Sequence, residues 1–403
     1  MDLFDKCKTD GGYFGTARVS KDRYYVMPVL DPIPGRTTIF DGKKLILWSI
    51  NNYLGLAENE AIKAVAVEAA KKYGVSAPMG SRMHSGNTRQ HVDLEKELAD
   101  FSQKEDAILF NYGYLGVIGT IASLAKDNDH VVIDSLSHAS MVDGAFMSRV
   151  KMHVFRHNDM DHLEKILKQI NRNLKGGILL ITEGVFGMTG DLAKLPEICA
   201  LKEKYGAHLF IDDAHGYGVM GQSGRGTAEH YGVQDEVDVY FGTFAKAFAS
   251  IGGMTASSYD VIEWIRFNAR TQIFAKSTPM IYVQTLKKTL EIIRSKTGDD
   301  QRKRLFGHSK KLRYGLINLG FEVSETDSPI VSVYVKEGDL TKGMEMVKFL
   351  RENGIFVPLV MYPVIPKGLI LFRMIPTPSH TEADIEETVA AFGKMKKEMN
   401  LKL

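Results

Sequence analysis

The feature that most constrains this chain is a succession of short, continuously apolar runs, each ending in a polar or glycine-rich turn. They are DAILFN (106–111), HVVIDS (130–135), GGILLITEG (176–184), AHLFIDDAHG (207–216) and VDVYFGTFAK (237–246). Helical periodicity separates or precedes them, in ENEAIKAVAVEAAKKYG (58–74), HVDLEKELADFSQ (91–103) and PEICALKEKYG (196–206). A strand that is apolar at every position has to be covered on both faces. The pattern therefore implies a mostly parallel sheet between helices, an α/β fold. In such sheets ligands bind beyond the carboxyl ends of the strands, where this chain places its unusual polar clusters.

The first forty-odd residues read as irregular, with Pro28, Pro32, Pro34 and Gly35, before DGKKLILWSINNYLGL (41–56) supplies a turn and an apolar strand. Beyond about residue 285 the alternation gives way to a long helix, the strand SPIVSVYV (328–335), a helix through MEMVKFLRENG (344–354), the strand GLILFRMI (368–375) and a last helix from Glu382. The expected organisation is an N-terminal segment (1–45), a large domain (46–285) and a smaller C-terminal α+β domain (286–403). A chain of 403 residues exceeds the ~250–300 that one core usually serves.

Composition narrows the function. Basic residues number 51 and acidic residues 49, for a formal charge of +2, which gives no electrostatic reason to expect nucleic acid or an acidic membrane surface. Cys7 and Cys199 are too few for a disulfide framework, and the opening MDLFDKCKTDGGYFG lacks the apolar core of a signal peptide. With no run near the ~20 apolar residues of a membrane span, a cytoplasmic protein without a transmembrane segment is expected.

Four strand ends carry the chemistry. FGTFAKAFASIGG (241–253) holds one ionisable group, Lys246, among Phe241, Phe244, Phe248 and Ile251, with Thr243 three residues earlier. That lysine is either the tip of a surface helix or a nucleophile whose ammonium is disfavoured by desolvation. IDDAHGYGVMGQSGRG (211–226) puts Asp212, Asp213 and His215 before a glycine-rich stretch; its DDAH resembles a helicase box, but no G-x-x-x-x-G-K-[ST] phosphate loop precedes it. SLSHASMVDG (135–144) carries His138, a residue type that is more often structural than catalytic. ITEGVFGMTGD (181–191) sets Glu183 and Asp191 around a turn. An amine able to form a Schiff base, a carboxylate to keep a pyridine nitrogen protonated and a hydroxyl near a phosphate together suit pyridoxal 5′-phosphate. No metal site is expected.

The order histidine, aspartate, lysine, with Lys246 following Asp212 by 246 − 212 = 34 positions, resembles the fold-type I pyridoxal phosphate enzymes. The phrases NNYLGLA (51–57), GSRMHSGNTRQHVDLEKELADF (80–101), SHASMVDG (137–144), TEGVFGMTGD (182–191), DDAHGYGVMGQSGRG (212–226), GTFAKAFASIGG (242–253) and LFRMIPTPSHT (371–381) are similar to those of the α-oxoamine synthases, in order from about residue 40 to the end. The resemblance implies a fold-type I aminotransferase-like architecture and decarboxylative condensation of an α-amino acid with an acyl thioester, carried by coenzyme A or an acyl carrier protein. It makes Lys246 the Schiff-base lysine and the base for the α-proton, Asp212 the partner of the pyridinium nitrogen, His215 a donor to the phenolic oxygen and His138 a ring-stacking residue. Gly113 and Tyr114 in FNYGYLG (110–116), with Thr243, would cradle the phosphate. Ser277 would reach the phosphate of a second subunit in a homodimer, and Arg373 would clamp the substrate carboxylate with help from Asn51 or Asn52.

Two departures stand out: Gly187 where family members often carry serine, and Lys276 where a small hydroxyl residue is frequent. The bulky GVSAPM (74–79) before GSR also departs. The branch is expected to be one that joins a long-chain acyl group to serine or cysteate, giving a sphingoid-like or sulfonolipid base. The alternatives are 8-amino-7-oxononanoate synthase, 2-amino-3-ketobutyrate ligase, or an aminotransferase of the same fold.

Overall fold

The computed structural model describes residues 2–11, 24–31, 35–336, 339–362, 364–365 and 368–401; Pro32 and Pro34 lie outside them. In chain order the strands are β1 Thr37–Phe40, β2 Lys43–Leu47, β3 Asp106–Phe110, β4 His130–Asp134, β5 Lys151–Phe155, β6 Ile178–Glu183 and β7 His208–Asp212. They continue with β8 Val239–Thr243, β9 Gly253–Ser257, β10 Glu322–Val323, β11 Val331–Val335, β12 Ile355–Phe356, β13 Leu359–Val360 and β14 Ile370–Met374. Two compact units form: residues 51–305 with 326–328, and residues 1–50 with 306–325 and 329–403.

The larger unit is built on a seven-stranded sheet of order β3-β9-β8-β7-β6-β4-β5. All strands run parallel except β9, which is antiparallel to both neighbours. The mostly parallel sheet expected from the apolar runs is present, with two strands those runs did not announce. β5 (KMHVF) is a partly exposed edge strand, whereas β9 (GMTAS) is buried yet almost free of large side chains. Its small residues suit a position where other groups approach closely: a Cβ on Gly253 would come within 2.8 Å of the Phe241 ring. The helices Gly113–Leu124 and Ala139–Ser148 pack on one another, and a Cβ on Gly144 would stand 3.0 Å from that of Ile121. Val117, Ile121, Val131, Ile133, Phe210 and Phe241 belong to the core under these helices, each contributing roughly 1.5–3 kcal/mol by leaving water.

The ends of the central strands lie in register. Glu183 at the end of β6 is paired with Asp212 at the end of β7, and Asp212 with Phe241 of β8. This alignment sets side by side the turns that the motifs occupy.

In the smaller unit, β1 and β2 form a hairpin about Asp41 and Gly42, whose φ of 51° and 71° are the left-handed values of a type I′ turn. Residues 37–40, expected to be irregular, are therefore a strand, because the Asp-Gly turn folds them back onto β2. β2 in turn pairs in parallel with β12, matching Ile46 to Ile355 and Leu47 to Phe356. Trp48 donates its indole N–H to Thr388 Oγ1 at 3.0 Å and stacks on His380 with centroids 4.0 Å apart. These contacts group the first fifty residues with the C-terminal part instead of leaving a separate 1–45 segment. The division expected near 285 falls within the helix Lys296–Asn318. A second sheet, β10-β11-β14-β13, is antiparallel and carries Arg373 on β14 opposite Ser332.

Candidate active site

Lys246 follows β8 in a turn closed by Ala249 N–H to Lys246 O (2.9 Å), Ser250 N–H to Phe244 O (2.8 Å) and Phe244 N–H to Gly252 O (2.9 Å). The phenylalanines expected to wall the amine serve at least to anchor this turn. Phe248 stacks on Tyr217 at 4.9 Å and meets Phe244 at 5.4 Å, while Phe241 fills the space above Gly116. Lys246 itself is half-buried.

Three titratable groups answer to the field of that amine. Asp212 is raised by burial, an effect opposed by Lys246, His138 and the Ala214 N–H that its Oδ1 accepts at 3.1 Å. Glu183 is pushed up to about 8, by burial first and then by the Asp212 carboxylate, against Lys246 and the backbone N–H groups of Gly187 and His138. His138 is lowered by burial and by Lys246, with Asp212 and Asp143 opposing. His138 caps the helix Ala139–Ser148, its Nδ1 accepting the Ser140 N–H at 3.3 Å, and meets the ring of Tyr114 edge-on.

An anion cradle adjoins this group. The helix Gly113–Leu124 begins without a side-chain cap, so its first N–H groups point outward with the positive end of the helix dipole. A Cβ on Gly113 would come within 2.7 Å of Thr243 Oγ1, so glycine is what lets the two meet. Thr243 donates to Gly252 O at 3.1 Å and accepts from Ala245 N–H at 3.4 Å. Asn111, two residues before Gly113, donates through Nδ2 to Lys276 O and accepts from Thr278 Oγ1 at 2.8 Å. That tie fastens the cradle to the segment holding Ser277, whose hydroxyl donates to Gly80 O at 2.9 Å. Lys276, which stands where a small hydroxyl residue is frequent, donates to the Ser76 carbonyl.

Other expected residues are placed differently. Asn52 is buried and committed to its own turn, accepting Ala57 N–H at 3.2 Å, while Asn51 is half-exposed. Arg373 is 7% exposed on β14 and belongs to the smaller unit.

Two residues matter here in roles that the sequence did not assign, Asp213 and His157. Asp213 accepts from Thr227 N–H, Thr227 O–H and Tyr240 O–H, each at 2.6 Å. Cβ atoms on Gly184, Gly216 or Gly226 would fall 2.1–2.2 Å from its oxygens, so these glycines make room for a buried carboxylate. His157 bridges Asp134 (3.0 Å from Nδ1) and Asp191 (at Nε2), with Phe186 edge-on at 4.4 Å. Burial alone would lower this imidazole; the two carboxylates push it up to about 9. The imidazolium thereby fastens the turn 184–192, whose Gly187 lies against His215.

Residues 43–392 match the protein family described as aminotransferase class I and II. Over 402 residues, 99% of this chain and 95% of the relative, the sequence is 44% identical to a cysteate-C-fatty acyltransferase of Capnocytophaga ochracea. It is 38% identical to an 8-amino-7-oxononanoate synthase of Alkaliphilus oremlandii over 94% of each chain. A serine palmitoyltransferase of Bacteriovorax stolpii is 35% identical over 93% of this chain and 88% of that one. The chain belongs to the α-oxoamine synthases of this family. As an α-oxoamine synthase it matches the solved serine palmitoyltransferase of S. paucimobilis with a bound pyridoxal phosphate–myriocin aldimine, at a TM-score of 0.92 and 30% identity, covering 99% of this chain and 100% of the other. It is a pyridoxal phosphate-dependent C-acyltransferase, and its residues fit the cofactor: an uncapped helix start beside Thr243 for an anion, and a buried carboxyl and an imidazole within the field of one amine. Among the described residues no helix is long and apolar enough to cross a membrane.

Proposed function

We propose that this α-oxoamine synthase joins cysteate, or its close analogue serine, to a long-chain acyl thioester with loss of carbon dioxide. The observation that carries the chemistry is the convergence of Lys246, Asp212 and His138 at neighbouring strand ends, where Asp212 and His138 shift each other's proton affinity and both respond to the Lys246 amine. The cysteate reading is supported by the 44% identity to the Capnocytophaga enzyme, and a long-chain acyl group by both that relative and the serine palmitoyltransferases.

Pyridoxal phosphate, when bound, supplies an aldehyde that condenses with amines and an electron-poor ring that withdraws density from the substrate's α-carbon. In this reading Lys246 would hold the cofactor, and its amine, neutral and free, would take the α-proton of the substrate. Asp212 would hold the ring nitrogen protonated, which would give its carboxylate, costly when buried alone, a counter-charge. His138 would stack on the ring and His215 would donate to the phenolic oxygen. The N–H groups at Gly113 and Tyr114 with the Thr243 hydroxyl hold the phosphate, and Arg373 pairs with the substrate carboxylate. Ser277 is proposed to act across a homodimer interface, and a cytoplasmic location goes with this reading.

Steady-state turnover of cysteate, serine, glycine and alanine against long-chain and short-chain acyl thioesters tests the substrate. Release of carbon dioxide with cysteate and a long-chain thioester is the expected result. Activity confined to glycine with an acetyl thioester, or to alanine with a pimeloyl thioester, would replace it, and a keto acid formed without carbon dioxide would point to transamination. Lys246→Ala is expected to lose the visible absorption of the loaded protein near ~420 nm together with turnover.

A further inference from the structure

Tyr53, in the NNYLGLA stretch, is completely buried. Its phenolic oxygen lies 2.8 Å from Nδ1 of His215, 162 residues away, and the two rings meet edge-on with centroids 6.0 Å apart. On the opposite side of the imidazole, Nε2 faces the turn at Gly187, where a Cβ would come within 2.5 Å of it. Backbone conformation does not require glycine at 187; the left-handed glycine of this turn is Gly190, with φ 81°. The missing side chain is what keeps that turn from displacing the ring. One imidazole nitrogen thus meets a phenol, and the other lies on the side of the Gly187 backbone.

The pairing decides a tautomer. A neutral phenol is a better donor than acceptor, and with the Tyr53 O–H donating to it, Nδ1 accepts and Nε2 carries the hydrogen. An N–H at Nε2 can donate to an oxygen anion, whereas the opposite tautomer would direct a lone pair at it. We propose that Tyr53 is a positioning residue that fixes His215 as its Nε2–H tautomer and thereby sets the hydrogen bond His215 gives to the phenolic oxygen of pyridoxal phosphate. The inference rests on the role proposed above for His215. Of the neighbouring carboxylates among the described residues, Asp212 ends β7 three residues before His215, and Glu183 accepts the Gly187 N–H at 3.2 Å. Asp213 is occupied by Thr227 and Tyr240.

The test uses the pyridoxal phosphate-loaded protein and the variants Tyr53→Phe, His215→Asn and both together, read by pH titration of the cofactor's visible absorption. Losing one hydrogen bond to a histidine is expected to move the titration midpoint by about half a unit or more in Tyr53→Phe and to lower kcat roughly three- to tenfold. KM for the acyl thioester should stay within about twofold, since the proposed action of Tyr53 runs through His215 and the cofactor. In the His215→Asn background the phenol has nothing left to orient, so adding Tyr53→Phe should shift the midpoint no further. An unchanged midpoint in Tyr53→Phe, or an equal shift in both backgrounds, overturns the inference and leaves the role of His215 standing. An unchanged midpoint in His215→Asn overturns that role and the inference with it. If Tyr53→Phe fails to fold, the ¹⁵N shifts of His215 in the unaltered protein decide: a protonated Nε2 supports the proposal and a protonated Nδ1 ends it.

Discussion

At the end of β7 two consecutive carboxylates, Asp212 and Asp213, have different surroundings. Asp213 is enclosed by three glycines and receives three hydrogen bonds from Thr227 and Tyr240. Asp212 accepts from Ala214 and otherwise responds to the charges of Lys246 and His138. Burial raises both carboxyls, but at Asp213 hydroxyl and N–H donors answer the cost locally, whereas at Asp212 ionisable groups answer it. Successive residues of a strand point to opposite faces, so one position looks toward the site and the next into the packing of three turns. A buried polar group with saturated neutral partners is a structural fastener; one balanced against titratable neighbours is poised for chemistry.

Exchanging each carboxylate for an amide should separate the two roles. Asp212→Asn is expected to cost about 10²–10⁴-fold in kcat/KM while moving the thermal midpoint little, as measured by turnover beside a melting curve. Asp213→Asn places an amide N–H₂ against donors already aimed at an oxygen. The melting temperature should fall by roughly 5–15 °C, for a loss of about 2–4 kcal/mol, while the protein that remains folded binds cofactor. If Asp213→Asn melted like the parent and lost only activity, the division between the two positions would be wrong.

His157 extends the comparison to a fastener that is itself charged. Its folded pKa of about 9 exceeds the unfolded 6.5, so its stabilisation is complete below pH 6.5 and lost as pH rises through 9. Asp191, held below its usual 3.8 by His157 and Thr189 despite burial, loses its share as pH falls through the acid range. The stability difference between the parent and His157→Asn should therefore be largest near neutrality and shrink by pH 10, which melting curves across pH would show. The smallest effect is expected at Glu183. With its folded pKa near 8 against 4.5 unfolded, it folds protonated at neutral pH, and its contribution is lost as pH rises between those values. Glu183→Gln should bind pyridoxal phosphate within about threefold of the parent, and cofactor-free it should be at least as stable above pH 8.

Much of this was legible along the chain. β3, β4, β6, β7 and β8 are runs of large apolar residues, and the polar residues that end them read as site residues because a buried strand has no other use for them. β9 was not legible, since GMTAS carries no propensity signal and is a strand only because β3 and β8 flank it. β1 was hidden by the prolines before it, although the Asp-Gly turn that makes its hairpin was in view. In IDDAHGYGVMGQSGRG the sequence shows the glycines without a reason for them; in the fold Gly216 and Gly226 clear space for Asp213.

By itself the sequence determined which chemical groups this α-oxoamine synthase owns, their order, and the strand ends that present them, because periodicity and motif are local properties. Only the tertiary structure decided which of two adjacent aspartates is a fastener, why Gly187 carries no side chain, and that a phenol 162 residues away holds His215. Those outcomes depend on burial and on distances of about 3 Å between groups remote in sequence, and it is burial and distance that set the energy of a charge or a hydrogen bond.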